Sequence, residues 1–106
     1  MTKVSKCSLK VVYTTVDKLL KAEALAMKAV SLKHVSCVNI HPNVTSIYSW
    51  KGAIEKGEEV SLMFKVTDSH LNQFLKWLDL HHPYDDPSVL VYDVEAVNLS
   101  SSSLSA

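Results

Sequence analysis

Residues 37–67, CVNIHPNVTSIYSWKGAIEKGEEVSLMFKVT, decide how this chain folds. Two arms rich in β-branched and aromatic residues, 45–55 and 58–67, flank Lys56-Gly57, a pair suited to the positive φ angles of a two-residue hairpin turn. A short lead-in strand starts at Cys37. With Lys56-Gly57 as the loop, Ile47 falls opposite Val66, Ser49 opposite Phe64, Lys51 opposite Leu62 and Ala53 opposite Val60, and these pairs are assigned to the core face. Tyr48 then faces Lys65, Trp50 faces Met63 and Ile54 faces Glu59 on the other side, a surface too aromatic for water alone. An eleven-residue arm spans roughly 36 Å, whereas a compact domain of this size has a radius of gyration of about 13 Å. The hairpin is therefore expected to reach beyond the core of its own subunit and to need cover from a partner.

Outside the hairpin, 106 residues make one domain with one core. The chain is 47% hydrophobic and 21% charged with zero formal net charge, the profile of a globular protein. Every one of its eleven basic residues is Lys. Without Arg the bidentate reader of phosphate and guanine is missing, which argues against nucleic-acid binding. No apolar run has the length of a membrane-spanning helix and residues 1–10 carry no signal-peptide core, so neither a membrane nor a secretory route is expected. Cys7 and Cys37 form no CxxC pair and no disulfide framework, which fits a reducing, cytoplasmic location.

In chain order, Leu9, Val11, Val12 and Tyr13 predict a central strand over 8–16. Asp17 is placed as the N-cap of a helix over 18–33 whose inner arc is Leu19, Ala22, Leu25, Ala26, Ala29 and Val30. Leu20, Ala24 and Met27 form a smaller outer arc, read as exposed. After the hairpin, Asp68-Ser69 is the expected cap of a second helix carrying Leu71, Phe74, Leu75 and Leu78. His82-Pro83 ends it, with the His82 imidazolium expected to meet the last carbonyls. Val89-Leu90-Val91-Tyr92 reads as a short buried strand. The order β-α-β-β-α-β predicts an α+β, ferredoxin-like fold: an antiparallel sheet with a long extended hairpin and two helices on one face. Residues 1–98 form this single domain, and 99–106 are a serine-rich tail expected to be disordered.

Four separated motifs carry a resemblance: Val12-Tyr13-Thr14-Thr15; Cys37 to Ile40 running on into His41-Pro42-Asn43-Val44-Thr45-Ser46-Ile47-Tyr48-Ser49-Trp50-Lys51-Gly52; Lys65-Val66-Thr67; and His82-Pro83-Tyr84-Asp85-Asp86-Pro87. In this order and spacing, over about residues 9–98, they resemble the CutA divalent-cation-tolerance family. The resemblance implies a ferredoxin-like subunit, a homotrimer with hairpins extended across neighbours, and association with divalent metals, copper above all. It implies no catalytic reaction. Asn43 stands where Gly is frequent in the family and is expected to keep a left-handed turn. His34 replaces a usual apolar residue, Ser88 a common Glu, and the family's closing Tyr-Leu-x-Trp helix has no counterpart.

The metal-capable residues are His34, Cys37, His41, His70, His81, His82 and Asp85-Asp86, none with the close spacing of a structural zinc site. Cys37 and the His81-His82 pair are the candidate ligands for weakly bound copper, or zinc, since thiolate and imidazole suit these metals better than magnesium or calcium. Cys37 equally suits a small buried core residue. Tyr48, Trp50, Lys65 and Tyr84 are the candidate lining of an intersubunit cleft. Three functional readings result: a non-catalytic, metal-associated trimer acting as a scaffold; a sensing trimer that binds an anionic effector near Lys65 and the His-Pro-Tyr turn; and an enzyme, ranked last because no nucleophile and base are paired and nothing cradles phosphate.

Overall fold

The computed structural model describes residues 4–99, with side chains described over 8–97. Its elements are β1 (Val4–Val16), α1 (Leu19–Ser31), β2 (Cys37–Trp50), β3 (Ala53–Thr67), a 3₁₀ turn (Asp68–His70), α2 (Leu71–His81) and β4 (Val89–Leu99). The strands form one sheet in the order β2-β3-β1-β4 with every neighbouring pair antiparallel. This is the expected α+β arrangement, with β1 central as read from its apolar run.

One face of the sheet packs on both helices. Val12 and Val16 of β1, and Val60, Leu62, Phe64 and Val66 of β3, meet Ala22, Leu25, Ala26 and Ala29 of α1 and Phe74, Trp77 and Leu78 of α2. The strict alternation along β3 places every second side chain in this core, and Val38 and Ile40 extend it onto β2. Leu20 and Met27 of the outer arc are exposed, as read. The opposite face has no helix. It carries Leu9, Val11 and Tyr13 of β1, Met63 of β3, and Leu90, Tyr92 and Val94 of β4, the last three at 47%, 48% and 36% exposure.

The hairpin turn corrects the sequence reading. It lies at Lys51-Gly52, with φ of 49° and 81°, and not at Lys56-Gly57. Ile47 therefore pairs with Lys56 and Trp50 with Ala53, while Val38 and Ile40 pair with Phe64 and Leu62. The physical reason is burial: a turn at 56–57 would set Ser49 and Lys51 against Phe64 and Leu62 in the core, whereas the observed register fills those places with Val38 and Ile40. The lead-in strand and first arm are one strand, β2, broken by a bulge between His41 and Val44 where Asn43 takes φ 62°. Asn43 is thus left-handed as expected, in a bulge. Beyond it the arms run on alone and stretch the fold to 56 × 26 × 23 Å, with a radius of gyration of 16.0 Å.

Three smaller expectations also change. Asp17 does not cap α1; Lys18 occupies that position without a side-chain bond, and Asp17 pairs with Lys21 one turn on. Asp68 and Ser69 begin the 3₁₀ turn, so His70 precedes α2, and Asp68 contacts Lys10. β4 is an eleven-residue edge strand with exposed side chains, not a short buried one, because no helix covers its outer half. Leu99 belongs to β4, and the expected disorder of 100–106 falls outside the described residues.

Candidate functional site

Where the hairpin leaves the core, Glu59 gathers three hydroxyls on the open face of the sheet. Its Oε1 accepts from Ser46 Oγ at 2.6 Å, and its Oε2 accepts from Thr15 Oγ1 at 3.0 Å and Tyr84 Oη at 2.8 Å. β1, β2, β3 and the turn after α2 are thereby tied at one carboxylate. Burial pushes the Glu59 pKa up, but the hydrogen bonds from Ser46, Tyr84 and Thr15 outweigh it and leave the group below its ordinary value. The Tyr84 phenol is held far above its ordinary range by burial and by the Glu59 carboxylate it donates to.

The turn that carries Tyr84 is locked from behind. The Tyr84 backbone N–H donates to His82 Nδ1 at 3.0 Å, which makes Nδ1 the unprotonated nitrogen. Nε2–H therefore donates to Thr14 Oγ1 at 2.9 Å, and the Thr14 hydroxyl passes its own proton to the Ser88 carbonyl at 2.7 Å. Burial holds the His82 pKa below its ordinary value, against hydrogen bonding at the Thr15 backbone and the charge of Glu59. His82 is thus a neutral core histidine, where the sequence predicted an imidazolium at the helix end. That task falls to His81, whose Nδ1–H donates to the Trp77 carbonyl at 2.8 Å while its ring stacks on Trp77.

A groove of about 560 Å³ opens beside Glu59. Tyr48, Trp50 and Tyr84 are its aromatic walls, Gly57 lies against the Tyr48 ring, and its charged residues are Glu55, Glu58, Glu59 and Asp86. Three of the four residues predicted to line a cleft come together here. Lys65 does not: it sits six residues further along β3, roughly 20 Å by strand rise, opposite Cys37. The predicted metal ligands are dispersed. Cys37 is a half-buried free thiol at the start of edge strand β2, His81 is exposed on the last turn of α2, and both ring nitrogens of His82 are engaged. Among the described residues no three His, Cys, Asp or Glu side chains converge on a metal position.

Thr14, Thr15 and Ser46 lie within the motifs quoted above and Glu59 within the hairpin, but none of them is assigned to a site from the sequence. Glu59 lies 44 residues from Thr15 and 13 from Ser46, and no local pattern links them. The one available signal was alternation along β3, which puts Glu59 on the face of Met63 in either register.

Comparison with known proteins places these features in context. The sequence profile described as CutA1 divalent ion tolerance protein matches residues 10–102. The divalent-cation tolerance protein CutA of Escherichia coli is 38% identical over 84 residues, 79% of this chain and 75% of that protein. The solved structure of CutA from Synechococcus elongatus superposes with a TM-score of 0.84 at 33% identity, over 91% of this chain and 85% of that one. CutA1 from Oryza sativa gives 0.80 at 31% identity over 86% and 84%.

Proposed function

This chain belongs to the CutA1 divalent ion tolerance family, and from that premise we propose that it works as a cytoplasmic homotrimer, associated with divalent metals and copper first among them, that serves as a scaffold and catalyses no reaction. The observation that supports the trimer is the uncovered face of the sheet. Tyr13, Met63, Leu90, Tyr92 and Val94 at its base continue into Tyr48 and Trp50 on the same face of the tip. Apolar and aromatic clusters at both ends of one uncovered face, on a chain 56 Å long, have the character of an obligate interface. Sedimentation at low micromolar concentration tests this: three subunits are expected, and a stable folded monomer overturns it.

Metal enters this proposal as a weakly held cargo. Cys37 and His81 are the donors with least to give up, whereas a metal at His82 must displace either Thr14 or the Tyr84 N–H. Copper and zinc titrations of wild type, Cys37→Ser, His81→Ala and His82→Ala should show Cys37 and His81 contributing separately, with affinity well below that of a structural zinc protein. Identical isotherms for all four would remove these residues from the metal's path. An anionic effector in the hairpin groove is the weaker reading, because all four charged residues lining the groove are carboxylates.

A further inference from the structure

The helical layer holds a second groove of opposite character, about 380 Å³, on the side of α1 away from the open sheet face. Ala24 and Leu25 of α1, Trp77 of α2 and Pro83 form its apolar floor, and Lys21, Lys28 and His81 stand at its rim. No acidic side chain lines it. It exists because α1 presents a small residue, Ala24, where α2 presents the large flat ring of Trp77, and because Pro83 turns the chain away just beyond. Trp77 is 9% exposed and rests on Phe74 and His34, so the floor is rigid. The His81 ring extends that floor, stacked on Trp77 at 4.8 Å between centroids and fixed by its bond to the Trp77 carbonyl. Lys21 shares its charge with Asp17 across one exposed helical turn, and Lys28 makes no ion pair among the described residues.

We propose that this groove binds a small amphipathic anion, with a flat aromatic or alicyclic body on Trp77, Leu25 and Pro83 and one carboxylate or equivalent acid at Lys28 and Lys21. Charge complementarity selects the occupant: two lysines and no carboxylate over an apolar floor favour an anion, whereas the charged residues of the groove at the hairpin are all carboxylates. The volume lies at the small end of ligand sites, which fits a one- or two-ring molecule rather than a nucleotide. The site is independent of metal association and lies on a different layer from the proposed trimer face.

The probe is 2-naphthoate, with 2-naphthylmethylamine as its cationic counterpart. The two tryptophans of the chain are Trp50 and Trp77. In a Trp50→Phe background, naphthoate should quench Trp77 and shift the amide resonances of Lys21, Ala24, Leu25, Lys28, Trp77 and His81, and the amine should do neither. Lys21→Gln with Lys28→Gln should weaken binding about tenfold, the scale of losing a charge-assisted contact. Ala24→Phe, at an exposed position that leaves the core intact, should abolish binding by filling the floor. Equal binding of acid and amine overturns the proposal, as do naphthoate affinity unchanged in the Lys pair and shifts that map to Met27 and Val30 instead. A change in sedimentation on Ala24→Phe would show that a second copy of the chain occupies the groove, and overturns it too.

Discussion

Strand β3 passes through two environments, and Glu59 marks the border. From Val60 to Val66 every second side chain is sealed under the helices, whereas from Ala53 to Glu58 almost nothing is buried, although both halves belong to one continuous strand paired to β2. The difference shows that pairing alone makes a strand but not a stable structure. The base is held by a two-layer core, while the tip is a two-stranded ribbon of the kind that is marginal in water by itself. Its order must come from the Lys51-Gly52 turn, from the Glu59 cluster beneath it, and from whatever covers Tyr48 and Trp50.

The sharpest way to break this contrast is a pair of truncations. Phe64→Ala should cost about 3–5 kcal/mol in urea unfolding, because it empties a fully buried ring site against Phe74. Ile54→Ala, at 83% exposure, should change stability by less than about 0.5 kcal/mol. A cost for Ile54 near that for Phe64 would mean that the tip is buried after all.

At the border itself, Tyr84→Phe removes one hydrogen bond to Glu59 and should cost about 1 kcal/mol. The same cluster sets a pH dependence. His82 and Glu59 both lie below their ordinary values of 6.5 and 4.5 when folded, so on acidification the unfolded chain takes up each proton first. Their contributions are complete above about pH 7, begin to fade below the ordinary 6.5 for His82 and 4.5 for Glu59, and are lost as pH falls through the lower folded value of each. Melting temperature should therefore decline in two stages between pH 7.5 and 4. Glu59→Gln should flatten the lower stage; an unchanged slope would show that Glu59 is as free as a surface carboxylate.

The two Lys-Gly pairs allow a finer test. Gly52→Ala forces an L side chain into φ 81° and should destabilise by about 1 kcal/mol. Gly57→Ala meets only the Tyr48 ring at an ordinary 3.9 Å and should be nearly neutral. The reverse ranking would restore the turn to 56–57. The base offers a small gain rather than a loss. Lys33, at φ 62°, closes α1 in a Schellman motif, with its N–H bonded to Val30 and that of His34 to Ala29. Lys33→Gly should add roughly 0.5–1 kcal/mol by removing left-handed strain, and no gain in Tm would count against that strain.

Much of the base was legible in the chain. Ala22, Leu25, Ala26 and Ala29 of the inner arc of α1, the Phe74 and Leu78 face of α2 and the alternation through Val60–Val66 are local periodicities and lie in the core, whereas Leu19 and Val30 at the two ends of the arc are exposed. The turn was not legible locally, since Lys51-Gly52 and Lys56-Gly57 are equivalent as two-residue loops. Only the distant pairing of Val38 with Phe64 separates them. Tyr48 and Trp50 were found because large rings on a polar strand are conspicuous and Tyr84 because it sits in the 82–87 motif, while Lys65 was drawn in by the wrong register. The Glu59 hub and the neutral His82 depend on contacts between elements far apart in sequence, which no spacing rule reports.

The bulge at Pro42-Asn43 has a consequence for how this hairpin can change in length. Two residues of β2 stand there against Val60 alone, so the register below it is fixed by the core and the register above it only by the ribbon itself. Deleting two residues from each arm at the tip, or adding two, leaves every inward and outward assignment below the bulge untouched. An odd change in one arm reverses the faces above it. The tip can therefore lengthen or shorten in paired steps while the domain beneath keeps the same core, and the distance the hairpin reaches can vary without redesign of the fold that carries it.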